Sequence, residues 1–165
     1  MQVTAPDAAA GLIDKSLLVR ADASMAPLSP RYYMLETVRA YAALELTAAT
    51  ERDEAMEGLV RYCTTEASEA AEGLRGPAQV QWLDRVRLDL DSYRAALGWL
   101  IEGGRAAEAA DIAWWLKYFW LIRGYAAEGL QWYEQILAIP SRSATAESRA
   151  LLGAAGMWWT QGELE

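Results

Sequence analysis

Apolar residues recur along this chain with two different periods, and the change from one to the other marks how it is organised. Over residues 7 to 15, Asp7 stands as an N-cap, and Leu12 and Ile13 are the apolar anchors of a short helix. Leu17-Leu18-Val19-Arg20 then predicts a strand, and Arg31-Tyr32-Tyr33-Met34-Leu35 predicts a second one. Between them lie Asp22, Ser24, Pro27, Ser29 and Pro30, which favour turns and forbid a helix, so the pair makes a hairpin with a long, mobile tip. From Glu36 the period lengthens to that of a helix, with Leu35, Val38, Ala42 and Leu46 on one face as far as about Ala48.

The rest of the chain keeps the helical period. Thr50 followed by Asp53 has the spacing of a capping box, and it opens a helix whose stripe is Met56, Leu59, Val60, Cys63, Ala67, Ala70 and Leu74. The opposite face carries Glu57, Glu66, Glu69 and Glu72 and is expected in solvent. Gly76-Pro77 stops this helix, because glycine suits a left-handed cap and proline a first helical turn. A helix, or a broken pair of helices, follows from Pro77 to about Glu102 and ends at Gly103-Gly104. Further helices run from Arg105 to about Arg123, from Ala126 to about Ile139 ahead of Pro140, and over residues 145 to 161.

A repeat is visible in the last third. Trp120 precedes Gly124 by four residues and Trp158 precedes Gly162 by four, a period of 38 residues. Antiparallel helix pairs that stack on copies of themselves generate such periods, because one pair cannot bury both faces alone. The predicted fold is mainly α: a short β-hairpin followed by an α-solenoid of antiparallel helix pairs. Residues 1–48 form the first part and residues 49–165 the second.

Composition narrows the chemistry. Of 165 residues 53% are hydrophobic, enough for a core, and the formal net charge is −8. Arg61, Arg75, Arg85, Arg87 and Arg94 each have carboxylates nearby, so no basic stripe forms to displace counterions from phosphates, and DNA binding by this segment is disfavoured. With no histidine and one cysteine, zinc sites of the Cys/His type are excluded by count, and no metal ligands are assigned. Cys63 falls on an apolar stripe and is expected in the core. No leader and no apolar run of about 20 residues is present, which points to the cytoplasm and away from a membrane.

The run Arg31-Tyr32-Tyr33-Met34-Leu35-Glu36-Thr37-Val38-Arg39-Ala40-Tyr41-Ala42, preceded by Leu12-Ile13-Asp14-Lys15-Ser16-Leu17-Leu18, resembles the end of the winged-helix domain of STAND-type regulatory ATPases. These include the large LuxR-like and antibiotic-regulator-like transcription factors of bacteria. Trp82-Leu83-Asp84-Arg85 through Arg94-Ala95-Ala96-Leu97-Gly98-Trp99 resembles the first helices of the tetratricopeptide-like region that follows in the same proteins. Ser92-Tyr93 replaces the usual Asn-Leu, and Lys117 stands where a repeat prefers a small residue. The resemblance implies a nucleotide-binding domain upstream as a partner of this segment, and chain ends that are cut, the helical repeats being truncated at their C-terminus. No Gly-rich loop ending in Gly-Lys-Ser/Thr occurs here, so neither ATP nor another cofactor is expected to bind.

Catalysis is not expected either. Asp84, Asp89 and Asp91 are close in sequence, but such residues ordinarily cap helices or face water. The cluster Trp114-Trp115-Lys117-Tyr118-Phe119-Trp120 surrounds one helix on nearly all sides, which suits an inner helix packed on both flanks. By the repeat, Trp120 and Trp158 hold equivalent places and pack between helices. Trp114, Tyr118 and Trp159 fall on the side that tetratricopeptide-like arrays turn toward their concave groove, with Arg123 and Arg149 at its rim. The expected function is therefore a non-catalytic sensor and linker segment of a larger regulator, receiving a protein, a peptide or a small effector in that groove. The alternative is a winged-helix DNA-binding regulator with a helical dimerisation domain. Self-association through apolar surface near Leu12, Ile13, Met157 and Trp158 is also expected.

Overall fold

The computed structural model describes residues 5–20 and 32–162, and the chain divides into two compact units, Met1–Asp53 and Glu54–Glu165. In the first unit, α1 (Ala5–Asp14) leads to β1 (Val19–Arg20), β2 (Tyr32–Tyr33) and α2 (Glu36–Ala48). The strands pair antiparallel in the register Val19↔Tyr33 and Arg20↔Tyr32. Both are shorter than the sequence pattern predicts, for a local reason at each end. The Leu17 and Leu18 N–H groups donate to the Leu12 carbonyl at 2.9 and 3.2 Å, closing α1, while the Leu35 carbonyl accepts from Arg39 and opens α2. The predicted hairpin tip lies outside the described residues. Helix α1 begins at Ala5, so Asp7 sits inside it and does not precede it as a cap. On α2, Val38, Ala42 and Leu46 are half-buried as the stripe requires, but Leu35 is exposed.

Thr50 does not open the next helix. It has φ 59° and closes α2: its N–H donates to Thr47 O, and the Glu51 N–H reaches back to Leu46 O at 2.9 Å. A β-branched residue in the left-handed region is strained, and sequence spacing carries no sign of it.

The second unit is built from α3 (Arg52–Gly73), α4 (Gln79–Leu88), α5 (Leu90–Glu102), α6 (Ala106–Arg123), α7 (Ala126–Ala138) and α8 (Ala144–Gln161). The predicted stripe of α3 points inward, with Val60, Cys63, Ala67, Ala70 and Leu74 buried. Desolvation first, then the Asp89 and Glu66 carboxylates, push the Cys63 thiol up to about 12. The region up to Glu102 is a broken pair that begins at Gln79 and not at Pro77, and Gly76 does not take the left-handed conformation expected of it. Asp89 joins its halves: its N–H donates to Val86 O, its carbonyl accepts from Tyr93, and its buried carboxylate accepts from the Tyr62 hydroxyl at 3.1 Å. Asp89 is therefore neither solvated nor grouped with Asp84 and Asp91, which pair with Arg123 and Arg94.

Helices α6, α7 and α8 pack on one another, and α6 also packs on α4 and α5. Gly124 and Gly162 end α6 and α8 with φ 78° and 75°, the left-handed cap that the repeated glycines predict. Ser143 caps α8, its Oγ accepting from Ala146 N at 3.2 Å. Among these three helices the closest approach at a glycine is at Gly153, where the buried Tyr133 ring lies against bare backbone. A Cβ there would stand 2.1 Å from Tyr133 Cζ. Tyr133 in turn donates its hydroxyl to Ala113 O at 2.9 Å and meets Trp120 edge to face.

Ion pairs cross between helices where the sequence suggested free carboxylates. Glu66 pairs with Arg85 and is largely covered, because α4 brings a guanidinium across to it, and Glu57 pairs with Arg105. Arg94 grips Glu128 through two 2.7 Å bonds, which holds the Glu128 carboxyl below the usual range. Trp158 departs from its repeat mate: Trp120 is 1% exposed and Trp158 57%. The face of α6 that holds Trp120 is covered by α7, whereas no described element packs on the corresponding face of α8. Met157, expected as exposed apolar surface, is buried; Leu12 and Ile13 are half-buried.

Candidate functional site

Two helical stripes face each other across the second unit. On the α3 side stand Ser68, Ala71, Glu72 and Arg75, spaced as i, i+3, i+4 and i+7. On the α6 side stand Trp114, Trp115, Lys117 and Tyr118. Between them lies a half-open cleft of about 240 Å³. The stripe on α6 persists because residues three and four apart share a helix face, so Trp114, Lys117 and Tyr118 meet as one surface.

Cations and rings interleave along this surface. The Lys117 ammonium lies 3.2 Å from the centroid of Trp114 and 5.1 Å from that of Tyr118. The Arg75 guanidinium lies 5.9 Å from Tyr118, held there in part by a 2.9 Å bond from its Nε to Ala71 O. Burial, and then the neighbouring Arg75 charge, lower the Lys117 pKa from its ordinary value. Among the described residues neither Lys117 nor Arg75 forms an ion pair, whereas seven other arginines do. In a chain of net charge −8 this cleft is thus a local concentration of unneutralised positive charge, tempered by Glu72 at its edge. Lys117, at a position where a repeat prefers a small residue, lines the cleft with its ammonium over the Trp114 ring.

Of the residues expected at a groove, Trp114 and Tyr118 come together here. The other three sit elsewhere. Trp159 projects from α8 and is 72% exposed, Arg123 bonds Asp84 at 2.5 Å, and Arg149 is paired with Asp111 of α6. Trp115 and Lys117 belong to the aromatic cluster that the sequence offers as a candidate binding surface without falling on its groove side, and Arg75 is the lining residue that the sequence does not single out. The one available signal was that Arg75 lies seven residues beyond Ser68 on the α3 stripe, and it becomes informative only once α3 is known to face α6.

No group of three or more His, Cys, Asp or Glu side chains converges among the described residues. Among them, too, no helix is long and apolar enough to cross a membrane.

Comparison with known proteins finds bacterial proteins that this chain resembles over part of their length. It is 35% identical over 129 residues to a protein of Mycobacterium tuberculosis strain H37Rv provisionally named an HTH-type transcriptional regulator. Proteins with the same provisional description from M. tuberculosis strain CDC 1551 and from Mycobacterium bovis match to the same extent. The match takes in 76% of this chain but 14% of each relative, so the chain spans about a seventh of their length. No family model matches the chain, and no solved structure matches it.

Proposed function

We propose that this chain serves as a non-catalytic recognition and linker segment of a larger cytoplasmic transcription regulator. In this reading residues 1–48 are the last part of a winged-helix domain with its linking helix, and residues 49–165 are tetratricopeptide-like repeats. The kinship with proteins described as HTH-type transcriptional regulators supports the regulator half of the reading. The α3–α6 cleft, with Trp114 and Tyr118 beside two unpaired cations, carries the recognition half, since aromatic surface with a polar handle is what binding sites concentrate. Trp159, Arg123 and Arg149 lie away from the cleft and are not part of that surface. An upstream nucleotide-binding domain, of the STAND type, would read the occupancy of the cleft through the winged-helix part.

The test is transcriptional. A host strain lacking the parent gene is complemented with the wild-type gene or with Trp114→Ala/Tyr118→Ala, and transcripts are compared by RNA sequencing. The double variant is expected to accumulate normally yet lose the regulated response; a wild-type transcript profile would refute the assignment.

The HTH description of the relatives also favours a second reading, in which this chain belongs to a winged-helix DNA-binding regulator and the helices of unit 2 dimerise. A gel shift on random duplex DNA separates the two. Retardation that weakens steeply with salt supports the second reading, since phosphate contacts release counterions, and a net charge of −8 predicts none from this segment.

A further inference from the structure

We propose that the α3–α6 cleft binds a small aromatic carboxylate, its carboxyl group held by Arg75 and Lys117 and its ring lodged against Trp115 and Ala71. This rests on the reading of the cleft as the recognition surface and names the chemistry of its occupant. Charge selects the ligand first. Arg75 and Lys117 contribute two positive charges without a carboxylate partner among the described residues, and Glu72 contributes one negative charge. The sum suits a monoanion, and a doubly charged phosphate would leave excess charge facing Glu72.

The rings exclude the opposite choice. Aromatic pockets commonly hold cationic ligands, but here the faces of Trp114 and Tyr118 are already occupied by Lys117 and Arg75. What remains for a ligand is the charged tips of those two side chains and the apolar wall beside them. A planar guanidinium can bind a carboxylate through two parallel bonds, and the ammonium adds a third donor group. Size acts in the same direction. A cleft of about 240 Å³ falls below the roughly 300–1,000 Å³ of drug-sized sites, which leaves space for one or two fused rings.

The experiment is isothermal titration calorimetry of the full chain with 2-naphthoate, the isosteric neutral 2-naphthamide, and acetate. Naphthoate is expected to bind at least tenfold more tightly than naphthamide, with acetate giving no measurable heat. Arg75→Gln and Lys117→Gln should each weaken naphthoate about tenfold or more, leaving naphthamide unchanged, because hydrogen bonds to charged groups carry the difference. Glu72→Gln should strengthen naphthoate, a gain that a purely structural role for these residues would not produce. Neither cation has an ion partner to lose, so these variants should melt only a few degrees below wild type, each giving up ring contacts and no ion pair. Equal affinity for naphthoate and naphthamide, wild-type naphthoate affinity in both cation variants, or no naphthoate binding overturns the proposal. If naphthoate fails while Trp114→Ala/Tyr118→Ala abolishes the transcript response, the ligand class is wrong and the recognition surface stands; if that variant regulates normally, both fall.

Discussion

Adding one methyl group at Gly153 should cost this protein a large share of its stability, and adding one at Gly156, three residues along the same helix, should cost nothing. A Cβ at Gly153 would lie 2.1 Å from Tyr133 Cζ, 2.4 Å from Cε1 and 2.5 Å from Cε2, inside the ring and not at the tip of a flexible chain. The ring cannot swing clear. It is fully buried, its hydroxyl is committed to Ala113 O, and its face or edge meets Trp120 at a centroid distance of 5.9 Å. Overpacking a core costs about 1–3 kcal/mol. Displacing the hydroxyl from Ala113 O leaves buried polar groups unpaired, another ~1–3 kcal/mol. Loss of the edge-to-face contact adds roughly 0.5–1.5 kcal/mol. Against this, alanine is the better helix former by about 1 kcal/mol. The balance is a loss of about 2–6 kcal/mol, or a melting temperature lower by roughly 4–20 °C.

At Gly156 a Cβ would meet nothing within 4 Å, so only the helix-propensity gain remains. Urea denaturation followed by far-UV circular dichroism reads both variants. Gly156→Ala should shift the midpoint upward and Gly153→Ala well downward. The cost at Gly153 should shrink sharply in a Tyr133→Leu background, since the two positions share one space. A Gly153→Ala variant as stable as wild type would refute the packing described for α7 and α8.

Three further substitutions probe burial elsewhere in the second unit. Burial pushes the Cys63 thiol from its ordinary 9.0 up to about 12, so the folded state holds a proton that the unfolded chain loses above pH 9. The thiol's contribution is therefore fully present below pH 9 and is lost between there and about pH 12, at about 1.4 kcal/mol per pH unit. Cys63→Ala should gain on wild type as the pH rises from about 8 to about 10.5, and a constant difference in urea midpoint would contradict the burial of the thiol. Trp120→Ala should cost about 3–5 kcal/mol and Trp158→Ala within about 0.5 kcal/mol of nothing, read by the same denaturation; equal losses would mean that Trp158 is packed as Trp120 is.

Helix boundaries in this chain were legible because local signals coincide there. Glycine stands where the backbone turns left-handed at 124 and 162, and the apolar stripe of α3 ends where the helix does. The misses share a different character. Thr50 carries a capping spacing, yet the strain it accepts in closing α2 depends on the path of the chain after Ala49. Glu66 lies on an acidic face and looks solvated until α4 delivers Arg85 to it. Gly153 looks like a weak point in a helix, and its purpose appears only when Tyr133, twenty residues earlier, is seen to need the space. The candidate site divides in the same way. Trp114 and Tyr118 announce themselves as aromatics at helical spacing, whereas Arg75 joins them from the turn after α3 and could be placed there only by tertiary packing.

The 38-residue repeat shows most directly what such a period can and cannot transmit. It maps Phe119 onto Met157, and both are fully buried. It maps Ala113 and Trp120 onto Leu151 and Trp158, and here the pairs part: the α6 residues are sealed by Tyr133 and its helix, while Leu151 and Trp158 are exposed. The register is therefore repeated on one flank of the two helices and the neighbours are not repeated on the other. Burial belongs to the set of neighbours and not to the residue, which is why identical local signals at Trp120 and Trp158 lead to opposite environments. The α3–α6 cleft uses a further face of α6, carrying Trp114, Lys117 and Tyr118. None of its lining comes from α8, so the cleft's shape and charge are set within α3 and α6 whatever covers Leu151 and Trp158. Substitutions on that exposed face of α8 should consequently leave the cleft's ligand preference intact, which makes the site separable from the repeat that led to it.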